Sequence, residues 1–208
     1  MVQKLNRLKV AEILKSTGLT VFTPTEFARA FKVSPNTASG FLKRNLKSGL
    51  FIKLRNKFYI LQDAPPAPYI IANKLYQPSY ISLETALSYY GMIPETVYTI
   101  TSITTKTTRE FTTPLAAFSY QRVKPKVFLG YTAINFKGNT ILLAEPAKAL
   151  ADYLHFVDLK LVSLNERLLL KKVKRPELVA YAKLFNSPSL LELIVQIYAD
   201  QKQSRPIY

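Results

Sequence analysis

The sequence predicts an α+β protein in two parts, and three observations carry that reading. Two short capped helices followed by an alternating apolar segment occupy the first 61 residues. Strand-like segments then gather in the middle of the chain, and helical periodicity fills its end. Between the parts, Asp63-Ala64-Pro65-Pro66-Ala67-Pro68 predicts an extended, stiff connector. The expected domains are therefore 1–64 and 69–208, the second a mixed domain with a mid-chain antiparallel sheet and C-terminal helices.

Leu5, Leu8, Ala11 and Leu14 mark an opening amphipathic helix that Gly18 closes, and 20–22 form a short strand. Thr23-Pro24-Thr25-Glu26 is a capping box: the threonine caps forward and the glutamate reaches back. It opens a helix with Phe27, Ala28, Ala30 and Phe31, ending near Lys32-Val33. Directly after it Ser34 supplies the N-cap of a second helix, Pro35 suits the first helical position, and Gly49 can end the helix in the left-handed region. Ala38, Phe41, Leu42 and Leu46 share one face of it. The opposite stripe holds Asn36, Thr37, Gly40, Lys43, Arg44 and Lys47, residue types that contact base edges and phosphates. Leu50, Ile52 and Leu54 then alternate with Phe51, Lys53 and Arg55, and Phe58 and Ile60 continue beyond a turn near Arg55-Asn56-Lys57. This is the pattern of a winged helix-turn-helix, with Lys53, Arg55 and Lys57 expected against a phosphate backbone.

The second part opens with a helical segment at 69–75. Ser82 then caps a helix that runs through Glu84, Ala86, Leu87 and Tyr90 to Gly91. Strands are expected at 97–108, 109–112, 115–122, 127–135 and 140–143, with Lys137-Gly138-Asn139 as a hairpin turn. Helices are expected at 146–156, 163–172, 176–185 and 188–198, and 201–208 should fray.

Composition narrows the function classes. The chain has 208 residues, 48% hydrophobic and 20% charged, the balance of a globular protein rather than a disordered one. It has no cysteine and one histidine, which excludes thiolate and histidine-rich metal sites; no metal or cofactor is expected. The formal net charge of +16 favours an anionic partner. Residues 1–64 hold 12 Lys/Arg against 3 Asp/Glu, the remaining 144 hold 17 against 10, so the density peaks on the helix-turn-helix. Lys4, Arg7, Lys9, Glu12 and Lys15 interrupt any signal-like apolar run, and no long apolar stretch offers a membrane span. A cytoplasmic protein is expected.

Enzyme chemistry finds little support. Glycine is scarce and scattered, and Glu84, Glu95, Glu110, Glu145, Asp152 and Asp158 show no metal-binding spacing. His155 lies in the apolar run Tyr153-Leu154-His155-Phe156 and reads as a packed structural residue. Lys148 and Asp152, four apart, read as a surface pair. Two further basic clusters, Arg122, Lys124 and Lys126, and Lys171, Lys172, Lys174 and Arg175, are either a second nucleic-acid surface or, for the latter, the complement of a helix C-terminus.

A family resemblance rests on longer motifs. The segment Ser79-Tyr-Ile-Ser-Leu-Glu-Thr-Ala-Leu-Ser-Tyr-Tyr-Gly-Met-Ile-Pro-Glu95 resembles the opening signature of AbiEi-type antitoxin C-terminal domains. The threonine-rich segment 97–108 and Phe128-Leu-Gly-Tyr131 fit the same pattern. Leu143-Ala-Glu-Pro-Ala-Lys-Ala-Leu-Ala-Asp152 resembles the family's Ala-x-Pro-Glu-Lys-Ala-Leu-x-Asp box, with Ala147 in place of its glutamate. The resemblance covers nearly the whole chain, since the family also has an N-terminal winged helix. It implies a DNA-binding antitoxin and transcriptional autorepressor of a type IV toxin–antitoxin operon. Its functional partner would be a nucleotidyltransferase-like toxin, countered without a stable complex. The alternative is an ordinary winged-helix transcription factor whose C-terminal domain senses a ligand or dimerises; an enzyme acting on nucleic acid is a third, less favoured reading.

Overall fold

The computed structural model describes residues 5–203. The first three helices are α1 (Arg7–Thr17), α2 (Pro24–Ala30) and α3 (Pro35–Lys47). Strands β1 (Val21–Phe22), β2 (Phe51–Arg55) and β3 (Phe58–Leu61) form a sheet in the order β1-β3-β2. The caps are those the sequence predicts. The Ser34 hydroxyl accepts from the Thr37 amide, the Thr23–Glu26 box is closed in both directions, and Gly49 sits at φ +73°. An aromatic core of Phe22, Phe27, Phe41 and Phe51 ties helices to sheet, with Phe22 and Phe51 edge-on at 5.8 Å. In α1 the buried stripe is Val10 and Leu14, one step round from the expected face, and Leu8 is 76% exposed. The Asn6 side chain caps α1 by accepting from Leu8, and Val10 and Leu14 pack into the aromatic core.

Residues 62–67 carry neither helix nor strand, and α4 (Pro68–Leu75) begins at the last proline of the connector. Beyond it lie β4 (Ser79–Ile81), α5 (Leu83–Tyr89), β5 (Thr99–Thr104), β6 (Arg109–Thr112), β7 (Ala117–Arg122), β8 (Tyr131–Phe136) and β9 (Asn139–Ala144). Helices α6 (Pro146–Asp158), α7 (Arg175–Lys183) and α8 (Pro188–Gln203) close the chain. Of the segment expected to fray, 201–203 continue α8, and 204–208 lie outside the described residues.

The larger sheet runs β6-β7-β5-β4-β9-β8 and is mixed rather than purely antiparallel: β4 with β9 and β5 with β7 are parallel. The two hairpins, β6–β7 and β8–β9, each place their second strand inward and their first at an edge, which forces those parallel pairings. Tyr80 lies in register with Ile103, and Tyr120 with Ser102, so the two tyrosines point to opposite faces. Tyr120 donates to the Ala72 carbonyl of α4 on one side, and Tyr80 donates to Asp152 of α6 on the other. Residues 163–172, expected to be helical, are irregular apart from a 3-10 turn at Leu170–Lys172. The segment is pinned elsewhere: the Leu169 amide donates to the Met92 carbonyl, and the Tyr153 hydroxyl bridges Ser163 and Asn165. Residues 127–130, expected to begin a strand, form a 3-10 turn and loop before β8.

Candidate nucleic-acid interface

The α3 stripe is open to solvent. Asn36, Lys43, Arg44 and Lys47 are exposed, and Thr37 and Gly40 are partly so, while Ala38, Phe41 and Leu42 are buried beneath. The Arg44 guanidinium folds back over Gly40, so that a Cβ there would stand 3.4 Å from it. Lys53 and Lys57 are exposed on the hairpin beside this helix.

Arg55 departs from that set. A β-bulge shifts the pairing register between Lys53 and Arg55 and reverses the alternation at the hairpin tip. Arg55 therefore leaves the Phe51–Lys53 side. Its guanidinium donates to the Leu75 carbonyl at 3.4 Å and lies 3.9 Å over the Phe111 ring. It belongs to a joint between the wing and the rest of the chain, not to the open face. Val21, Leu54 and Ile60, from the back of the small sheet, share an apolar cluster with Ile71, Ala72 and Leu75 of α4. Glu26 serves both the cap and the joint: one carboxylate oxygen accepts from the Thr23 amide, the other from Lys74. Burial alone would raise its pKa, but the bonds from Lys74 and Thr23 outweigh it and hold the carboxyl below its usual value.

The remaining basic residues separate. Arg122, Lys124 and Lys126 are exposed. In the other cluster, Lys172 donates to the Tyr90 carbonyl, Lys174 lies 3.7 Å from Glu177, and Arg175 stands over Tyr198; Lys171 is exposed. Lys171 and Lys172 end a 3-10 turn, and Lys174 and Arg175 start α7, so the cluster lies at that helix's N-terminus rather than at the C-terminus of a helix over 163–172. A macrodipole explanation by a helix C-terminus therefore fails for it.

The feature that spacing missed is a buried polar cluster in the second part. Lys148 and Asp152 do pair, but with both side chains at 0% exposure rather than on the surface. The Asp152 carboxylate also accepts from Ser82 at 2.8 Å and Tyr80 at 3.0 Å, so every charge-bearing atom is engaged. Ser82 stands at the N-cap position of α5, but its hydroxyl serves Asp152 instead of the helix amides. Burial raises the Asp152 carboxyl, against the downward pull of Lys148, Ser82 and Tyr80. Helical spacing holds no sign of this cluster, because Tyr80 and Ser82 lie about 70 residues before Lys148 and Asp152. Gly130 has φ +74°, and a Cβ there would come within 2.6 Å of the Tyr181 ring. Tyr181 in turn donates to Glu145 at 2.7 Å; burial and that carboxylate raise its phenol to about 12.

His155 is half-buried, as its apolar run suggested, but it also lines a cavity with Arg122, Lys124 and Phe185. Burial, with Lys148 and Lys124 nearby, holds its pKa below the ordinary value against an opposing pull from Asp158. Among the described residues no helix is long and apolar enough to cross a membrane, and no group of three or more acidic, histidine or cysteine residues is placed to hold a metal ion. Comparison with protein-family models and with curated proteins returns no match.

Proposed function

We propose that this chain is a winged-helix DNA-binding repressor and, on the strength of its motifs, the antitoxin and autorepressor of a type IV toxin–antitoxin operon in the cytoplasm. The observation that carries the DNA reading is the α3 stripe. Asn36, Thr37, Lys43, Arg44 and Lys47 form the solvent face of a helix whose other face is the core of a helix–turn–helix–hairpin unit. That helix has the size and side chains to enter a major groove, with Lys53 and Lys57 on the flanking backbone. Arg55, held in the joint, contributes no phosphate contact.

The antitoxin assignment is supported by the meeting of two separated motifs in one buried cluster, Tyr80 and Ser82 against Lys148 and Asp152. The chain would act without catalysing a reaction and without a cofactor, opposing a nucleotidyltransferase-like toxin without stable association. Fluorescence anisotropy on the duplex upstream of its own reading frame tests the DNA arm: wild type should bind, and Lys43→Ala/Arg44→Ala should bind far more weakly. Equal affinities would overturn the placement of α3. Co-expression with the product of the neighbouring reading frame tests the other arm, and growth arrest that this chain does not relieve would remove the antitoxin role. One observation favours the second reading, a ligand-responsive transcription factor: the cavity beside His155.

A further inference from the structure

The two edges of the larger sheet are unlike. On β6 the charged Arg109 and Glu110 are exposed, and Arg55 of the wing lies over Phe111. On the other edge β8 reads Tyr131-Thr132-Ala133-Ile134-Asn135-Phe136, with no charge, no proline and an unbroken register against β9. Charges, prolines and bulges are the usual means of keeping an edge strand from pairing further, and β8 has none of them. The direction of its backbone groups follows from bonds on its inner side. Opposite residues of an antiparallel pair alternate between exchanging both bonds and exchanging none. The Glu145 amide donates to the Gly130 carbonyl at 3.0 Å, which puts the even-numbered residues of β8 in the bonded pairs. Leu142, opposite Ala133, has the matching phase: the Asn73 side chain engages both its amide and its carbonyl, so neither serves β8. The amides and carbonyls of Tyr131, Ala133 and Asn135 therefore face outward, where no strand pairs with them among the described residues.

We propose that β8 pairs antiparallel with β8 of a second copy of this chain, about a two-fold axis through Ala133. Such an isologous contact needs a strand that matches itself. In this register every outward residue is used: Ala133 meets Ala133, and Tyr131 meets Asn135 on either side of the axis. Between them Thr132 stands opposite Ile134, a β-branched cross-strand pair of the kind sheets favour. The smallest side chain of the strand lies on the axis itself, and Ala133 is exposed in the single chain. Charge points to the same place. At +16 a second copy is repelled over much of the surface, but residues 127–136 contain no charged side chain. A foreign extended peptide would find the same backbone groups without the self-matching side chains. The inference does not depend on the DNA-binding reading, since β8 belongs to neither α3 nor the wing.

Sedimentation of the full-length protein over a concentration series up to about 100 µM tests this, because a contact of this kind supports a Kd of micromolar order or tighter. The expected result is a species of twice the 23.6 kDa chain mass. Ala133→Pro removes an outward N–H that bonds nothing within the chain, so the fold should survive by circular dichroism while the dimer is lost. A residue on the axis faces its own copy, so Ala133→Lys and Ala133→Glu should each weaken the dimer by about tenfold or more, and their equimolar mixture should restore it. A wild-type chain that stays at 23.6 kDa throughout would overturn the proposal. So would a dimer that survives Ala133→Pro, or lysine and glutamate variants that dimerise no better mixed than alone.

Discussion

Lys43 of α3 and Lys148 of α6 are both helical lysines, each within reach of a polar neighbour in sequence, and they end in opposite surroundings. Lys43 stands in water beside Arg44 with its charge uncommitted. Lys148 is sealed in the core, paired with Asp152 under a lid of Tyr80 and Ser82. Water screens the first charge, so removing it costs folding almost nothing, and its value lies in what it can meet outside. The second has left water behind, and only a complete set of partners makes its position tolerable. The same side chain is an open, solvated charge in one region and a structural commitment in the other.

The sharpest way to break that contrast is at Asp152. Asp152→Ala strands the Lys148 ammonium in the core and should destabilise the protein by about 3–5 kcal/mol in urea unfolding. Lys148→Met/Asp152→Leu, which removes both charges, should recover most of that loss. If Asp152→Ala unfolds like wild type, the cluster is not the closed unit described. On the open side, Arg44→Ala should cost about 1–3 kcal/mol of DNA binding if it reads a base bidentately. The same change should alter unfolding by no more than about 0.5 kcal/mol. A large stability loss there would erase the distinction between the two regions.

Arg55 sits between these extremes. Arg55→Ala should lower stability by about 1 kcal/mol through lost contact with Phe111 and the Leu75 carbonyl. Its effect on the salt dependence of DNA binding should be absent, whereas Lys53→Ala should reduce that slope. The smallest effect is expected at Glu26. Its carboxyl titrates lower in the folded chain than in the unfolded one, so its stabilisation is fully present above the unfolded pKa of about 4.3 and fades as pH falls through the folded value. Glu26 and Lys74 are partly exposed, so the pair contributes no more than about 0.5–1 kcal/mol. Glu26→Gln should flatten this part of the acid-unfolding profile, and an unchanged profile would remove the ion pair from the joint.

Local signals were legible wherever chemistry acts over three or four residues. Thr23 with Glu26, Ser34 with Pro35, and Gly49 mark the helix ends of the first unit, and Lys137-Gly138 marks the last hairpin with both residues at positive φ. The α3 stripe followed from the same short-range periodicity. What escaped is decided at long range. The bulge that turns Arg55 toward Phe111 has no mark in the alternation of 50–60, because it depends on a surface 56 residues away. Helical spacing placed Lys148 and Asp152 on one face, but it is blind to Tyr80 and Ser82, about 70 residues earlier, which make that face an interior one. Parallel pairing of β5 with β7 is equally hidden, since a strand's composition does not name its neighbour. Residues 163–172 mislead for the complementary reason: their leucines have helical spacing, but tertiary hydrogen bonds to Met92 and Tyr153 hold the backbone in another course.

The Lys148–Asp152 pair also constrains how this sequence can drift. Either charge lost alone leaves the other desolvated and opposed, so a lineage taking single substitutions meets a fitness valley at both positions. The far side of that valley, an apolar pair of similar volume, is about as stable as the near side. Crossing it requires both codons to change nearly together, while exposed positions such as Lys43 and Arg44 can be exchanged one at a time. The buried pair should thus outlast the solvent stripe of α3, and related chains should share it long after that stripe has diverged.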